Sequence, residues 1–142
     1  MVYFTHETVL AFLLRVILGI LFFFQGYDKV FRLGIKGVGE FFRQESRHRK
    51  IPDAVLRFSA FFTSYVEFIC GGLLIIGLFK TAALYLLGVD LILVCAAFSL
   101  LKPMWDMQLL FPRLILLAAV LFLPSDWDQL SLDYVIQSLS AR

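Results

Sequence analysis

The sequence predicts an all-α membrane protein, a bundle of four transmembrane helices forming a single domain over residues 1–142, and three observations support this prediction. The chain is 61% hydrophobic and has a mean hydropathy of +0.86, whereas a soluble domain of 142 residues needs a far more polar surface. Four apolar segments have about the 20-residue length that a helix needs to cross a bilayer. Residues that favour turns separate these segments.

The four predicted spans and the tail that follows them cover residues 8–31, 56–79, 82–101, 104–123 and 124–142. A tight turn at Gly77 divides the second span from the third. Pro103 divides the third from the fourth, because proline disfavours a helical conformation in the residue before it. Pro112 and Arg113 interrupt the fourth span, so only residues 114–123 are cleanly apolar, which is too short to cross alone.

An amphipathic segment follows the first span. Apolar residues recur there at helical spacing, at Ile35, Val38, Phe41 and Phe42, while charged residues fall largely on other faces. This pattern predicts a short helix lying in the membrane interface, and an ordinary cytoplasmic loop is the alternative.

The tail has a similar pattern. Ser131 can cap a helix, and the residues after it place an apolar stripe on one face, formed by Leu132, Val135, Ile136 and Leu139. We therefore expect an amphipathic C-terminal helix that lies on the membrane or docks on a partner.

Basic residues are concentrated on one side of the predicted membrane topology: Arg32, Lys36, Arg43, Arg47, Arg49, Lys50, Arg57 and Lys102. Short loops rich in Lys and Arg stay in the cytoplasm, so we expect the first loop inside and both termini on the non-cytoplasmic side. The basic run at residues 47–50 fits anionic lipid headgroups better than nucleic acid, and we expect membrane lipids as partners.

Three charged residues, Arg15, Glu67 and Asp90, lie within three different predicted spans. Each costs about 2.5–3.5 kcal/mol at the centre of a membrane helix, so they are expected to face one another or a polar ligand. Their estimated depths agree within about 8 Å, which predicts a salt bridge from Arg15 to Asp90 with Glu67 nearby. One cation beside two carboxylates implies a protonated carboxyl or a further donor.

This predicted cluster has two interpretations: a proton relay or polar-ligand site, and a structural contact that holds the helices in register. With Gln25 and Tyr65, it would line a cleft for a quinone or lipid. Gln25 and Lys29 also lie near the other end of the first span, where they could form a second polar patch with Asp28, Asp106, Gln108 and Arg113.

The two cysteines, Cys70 and Cys95, give neither a CxxC motif nor the ligand set of a zinc site. Their expected depths differ by roughly 6 Å, which disfavours a direct disulfide. We predict no metal and no cofactor built into the chain.

Two segments resemble the opening motifs of the DoxX family: residues 13–31 (LLRVILGILFFFQGYDKVF) and 67–79 (EFICGGLLIIGLF). The tail sequence at residues 130–133 (LSLD) is similar as well. The resemblance implies a compact four-helix protein of the bacterial cytoplasmic (inner) membrane, linked to quinone-dependent redox systems. It also implies site roles for Arg15, Lys29 and Glu67, with Gly26 carried over at a matching position.

The chain departs from the family pattern at two polar positions. Gln25 stands where members often have His, and Gln108 lies near a position where Glu is common. Because both departures remove a titratable group, they indicate a non-catalytic subunit rather than an enzyme acting alone.

Three functions are compatible with the sequence. The first is an accessory or quinone-associated subunit of a membrane redox complex, partnered by larger subunits. The second is a stand-alone quinone- or lipid-binding protein or enzyme using the Arg15, Glu67 and Asp90 site. A small transporter ranks last, since four helices without an inverted repeat are few for alternating access unless the chain forms a homo-oligomer.

Overall fold

The computed structural model describes residues 5–46, 51–101 and 110–140, and all regular secondary structure in these ranges is helical. The α-helices are α1 (His6–Tyr27), α2 (Gly34–Glu45), α3 (Asp53–Ile76), α4 (Lys80–Leu101), α5 (Leu110–Phe122) and α6 (Leu132–Ser140). A π-helical turn, Asp28–Leu33, joins α1 to α2, and a short 3₁₀ helix, Ser125–Trp127, precedes α6.

Three described helical segments are long and apolar enough to cross a membrane: the continuous stretch His6–Glu45, α3, and α4 over Lys80–Ala97. This confirms three of the four predicted spans. The fourth needs correction, because α5 is a 13-residue helix. It rises only about 20 Å, less than the roughly 30 Å of a hydrocarbon core. Residues 104–109 of the predicted span lie outside the described residues.

Helices α1 and α3 run antiparallel and make the most extensive contact in the bundle. Glycines at the contact allow the two backbones to touch. A Cβ atom at Gly26 would overlap the backbone of Phe68, and one at Gly71 would overlap the backbone of Phe23. Small residues permit such close approach in membrane bundles, where van der Waals packing drives helix association.

We expect Gly71→Ala to destabilise the bundle by about 1–3 kcal/mol, because the added methyl group forces α1 and α3 apart. Gly72→Ala is the matched control, since a Cβ there would lie an ordinary 3.6 Å from the Phe23 ring. Thermal unfolding of both variants in the same detergent measures the difference. Equal melting temperatures would contradict the close-contact explanation.

Helix α5 packs against α1 and α4, which completes the bundle. Fully buried apolar side chains such as Leu18, Phe22, Leu74 and Leu87 form the centre. Large apolar side chains also lie on the outside, and Phe122 is 91% exposed. An apolar exterior of this kind suits a lipid environment rather than water.

The predicted amphipathic helix after the first span is confirmed as α2. Gly34 has a φ of +71°, which is accessible to glycine without strain, and it marks the change of direction between the π-helical turn and α2. Val38 is the buried residue of α2, which packs against α3. The position of α2 in the membrane interface stays a prediction.

The predicted tail helix is confirmed as α6. Its apolar stripe is exposed, with Leu139 at 66% and Ile136 at 53%. The segment before α6 folds back over the bundle, and the 3₁₀ helix contacts α1. Ser131 lies against Gly77, so this segment covers the end of the bundle that carries the α3–α4 turn.

Candidate functional site

The structure separates the charged residues that the sequence predicted to meet. Arg15 belongs to a polar clasp, which we define as Arg15, Lys80, Asp128 and Asp133. Glu67 and Asp90 belong to an acid site, which we define as Lys29, Thr63, Glu67 and Asp90. The predicted salt bridge from Arg15 to Asp90 is therefore wrong, whereas the proximity of Glu67 and Asp90 agrees with the prediction.

In the polar clasp, Arg15 and Lys80 both bind Asp128. The Nε atom of Arg15 lies 3.1 Å from Oδ2 of Asp128, and the Nζ atom of Lys80 also lies 3.1 Å from that oxygen. Arg15 is only 1% exposed. Its remaining donors bind the backbone carbonyls of Leu74, Ile75 and Leu130. Arg15 thus has several acceptors and an anionic partner, as a buried guanidinium requires.

The offset between α1 and the other helices explains why Arg15 meets Asp128. The predicted depth assumed that α1 begins level with the α3–α4 turn. In the structure, Gly19 instead lies against Ile75, so the part of α1 before it extends past the end of α3. Arg15 consequently lies beside the turn and under the returning C-terminal segment, away from Asp90 in the bundle interior.

Asp133 fixes the C-terminal segment to the same turn. Its two carboxylate oxygens accept hydrogen bonds from the backbone N–H groups of Phe79, at 2.9 Å, and Lys80, at 2.8 Å. These groups begin α4, so Asp133 caps a helix that lies far away in the sequence. Sequence reasoning missed Asp128, Lys80 and Asp133, although the tail motif at residues 130–133 pointed to this region.

In the acid site, Lys29 reaches from the π-helical turn to α3. Its Nζ atom lies 2.7 Å from Oε2 of Glu67 and donates a hydrogen bond to Oγ1 of Thr63 at 3.1 Å. Thr63 in turn donates to Oε1 of Glu67 at 3.4 Å. Glu67 is 1% exposed, while the Lys29 side chain retains 17% exposure. Lys29 therefore connects the buried carboxylate with the edge of the bundle.

Asp90 of α4 completes the acid site and has a different environment. It is 0% exposed, and neither carboxylate oxygen meets hydrogen-bond geometry with a described residue, although the side chains of Thr63 and Glu67 lie close enough to interact with it. Thr63 and Glu67 are its polar neighbours, and Lys29 and Arg113 are the cations whose charges reach it. The two oxygens of a carboxyl group can accept several hydrogen bonds, so Asp90 has acceptor capacity for a group that can donate.

The other predicted site residues, Gln25 and Tyr65, are not members of the polar clasp or the acid site. Gln25 is partly buried, and its side-chain oxygen also lacks a hydrogen-bond partner within the described ranges. The Tyr65 ring packs 4.6 Å from that of Phe61, and no polar contact joins it to the acid site in the part of the chain described. The second patch predicted for Lys29 involves residues 106 and 108, which lie outside the described residues; Lys29 itself binds Glu67.

The described part of the chain contains neither a cluster of metal-ligating side chains nor a disulfide. No group of three or more His, Cys, Asp or Glu side chains converges there. Cys70 is buried, Cys95 is partly buried, and both are free thiols. The acid site can therefore exchange a proton or bind a donor-rich polar group with the residues it has, two carboxylates, a hydroxyl and an ammonium group.

A family model built from known proteins matches most of the chain. The family model described as "Methylamine utilisation protein MauE" matches residues 7–105, which is 99 of the 142 residues. The matched part contains Arg15 and the whole acid site. No curated protein and no solved structure matches the chain. The match corrects the resemblance to the DoxX family, which is a different family of small integral membrane proteins. The chain belongs to the MauE family of membrane proteins.

Proposed function

We propose that this protein is an accessory membrane subunit of an electron-transfer system for methylamine utilisation, in which the acid site receives the polar head of a quinone or quinol. The family description names methylamine utilisation, and oxidation of an amine releases electrons that a carrier must accept. The single observation that carries the proposal is Asp90, a fully buried carboxylate without a hydrogen-bond partner among the described residues, in a membrane bundle.

The side chains of the acid site can form hydrogen bonds with both the quinone and the quinol. A quinone carbonyl accepts hydrogen bonds, and the Lys29 ammonium group can donate one. A quinol hydroxyl donates, and the free oxygens of Asp90 accept. Burying a polar group without a partner costs about 1–3 kcal/mol in proteins, so a ligand that satisfies Asp90 gains that stabilisation.

The acid site holds two carboxylates, a hydroxyl and an ammonium group, and none of these groups transfers electrons, which favours binding and positioning over redox catalysis by this chain alone. Its two carboxylates, Glu67 and Asp90, can hold a proton, but electrons need a redox-active partner. We therefore propose that a larger subunit of the system supplies the redox chemistry, and that this protein contacts it within the membrane.

Affinity purification from the native membrane in mild detergent tests this function. We expect the tagged protein to co-purify with redox subunits and with quinone, and its deletion to stop growth on methylamine while growth on another carbon and nitrogen source continues. A protein that purifies alone but with bound quinone would favour the stand-alone carrier-binding protein. Normal growth of the deletion strain on methylamine would contradict a role in methylamine utilisation.

A further inference from the structure

We propose that the groove between α2 and α3 binds an anionic phospholipid whose headgroup carries hydroxyl groups, as in phosphatidylglycerol. The groove has a volume of about 630 Å³, within the range of about 300–1,000 Å³ typical of small-molecule sites. The lining residues that bear on binding are Lys36, Glu40, Arg43, Arg57, Phe58 and Phe61. This proposal is independent of the acid site.

The position of the groove suits a lipid headgroup. Helix α3 has 24 residues and rises about 36 Å, about one turn more than a hydrocarbon core of roughly 30 Å, and we place this extra turn at the polar N-terminal end of the helix. Arg57 lies near the beginning of α3, at headgroup level, where the helix dipole also favours a negative charge. Phe58 and Phe61 follow it and are 63% and 55% exposed, so they provide an apolar surface for acyl chains.

The net charge of the groove matches a ligand that carries one negative charge. Arg43 binds Asp53 through two hydrogen bonds of 3.0 and 3.2 Å, so this pair is neutral overall. Within the described ranges, Lys36, Glu40 and Arg57 make no ion pair, and their charges sum to +1. A single phosphodiester neutralises this charge. Lys36 and Arg57 would bind its oxygens, and Glu40 would accept hydrogen bonds from headgroup hydroxyls.

Native mass spectrometry of the delipidated protein tests the proposal with three lipids of identical acyl chains: phosphatidylglycerol, phosphatidylmethanol and phosphatidylcholine. Phosphatidylmethanol has the charge without the hydroxyls, and phosphatidylcholine has no net charge. We expect phosphatidylglycerol to bind most tightly, at least about fivefold more tightly than phosphatidylcholine, with phosphatidylmethanol between them. Equal binding of the two anionic lipids would overturn the hydroxyl specificity, and equal binding of all three would overturn the site.

Charge variants locate the binding site. We expect Lys36→Gln and Arg57→Gln each to weaken phosphatidylglycerol binding about fivefold, the factor that corresponds to about 1 kcal/mol per basic residue at a charged membrane surface. Arg32→Gln is the matched control, because it removes the same charge at the same end of the bundle from a side chain outside the groove that is 74% exposed. An equal loss in all three variants would show a general surface-charge effect and overturn the site. Circular dichroism checks that each variant keeps its helices.

Discussion

Replacing Arg15 with methionine is expected to lower the free energy of unfolding by about 3–5 kcal/mol, the usual cost of removing one partner from a buried ion pair. Asp128 would keep only Lys80 as a cationic partner, and the carbonyls of Leu74, Ile75 and Leu130 would lose their donor. The C-terminal segment would then separate more easily from the α3–α4 turn. Unfolding of the purified variant in mixed detergent measures the loss, and limited proteolysis reports release of the tail.

Two further variants make this prediction specific. Arg32→Met breaks an exposed pair with Asp28, so we expect a change of less than about 1 kcal/mol. Arg15→Lys keeps the charge but loses the forked donor set, so its stability is expected to lie between those of the wild type and Arg15→Met. A wild-type stability for Arg15→Met would show that the polar clasp does not hold the tail.

Asp90→Asn is expected to weaken ligand binding and growth on methylamine without lowering the stability of the protein. The substitution replaces a fully buried carboxyl group that makes no ion pair within the described ranges with an uncharged amide of similar size, so the variant should be at least as stable as the wild type. Because the amide cannot accept a proton and has one acceptor oxygen instead of two, we expect quinone or quinol binding to weaken by at least about tenfold, a factor equal to about 1.4 kcal/mol. Growth on methylamine should fall accordingly.

Glu67→Gln provides the contrast, because Glu67 has a cationic partner at 2.7 Å and Asp90 has none so close. Removing its charge leaves Lys29 without an anion, so this variant is expected to lose stability as well as binding. Asp126→Asn, at an exposed position outside both polar groups, is the matched control and should retain growth and stability. Wild-type growth of Asp90→Asn would show that the acid site has no functional role.

Much of the fold could be predicted from local pattern. Apolar length identified α1, α3 and α4, and the helical spacing of apolar residues identified α2 and α6. The fourth span could not be assigned reliably because its apolar part is short. Hydropathy predicts that the second span starts at residue 56, whereas α3 starts at Asp53, because polar residues in a first turn carry no membrane signal.

The pairing of charges could not be predicted, because it depends on how far each helix is shifted along its neighbours. Arg15 lies beside the α3–α4 turn only because α1 extends beyond it, and hydropathy does not determine that shift. The family resemblance implies a site role for Lys29, whereas its position in the sequence also allows a second polar patch at the end of α1. Its long side chain instead points back along the helix, as Cα–Cβ bonds do, and reaches Glu67. Nothing in the polar tail distinguished Asp128 from its neighbouring acids.

The polar clasp has a consequence for biogenesis. A ribosome makes α1 first and Asp128 more than a hundred residues later, so the guanidinium enters the translocon before its counter-ion exists. An unpaired arginine costs about 2.5–3.5 kcal/mol at the centre of a membrane helix and less near its end, where Arg15 lies, and nascent chains hold this positive charge without its counter-ion until Asp128 is made. Truncated products that end before Asp128 would therefore lack the anionic partner of Arg15.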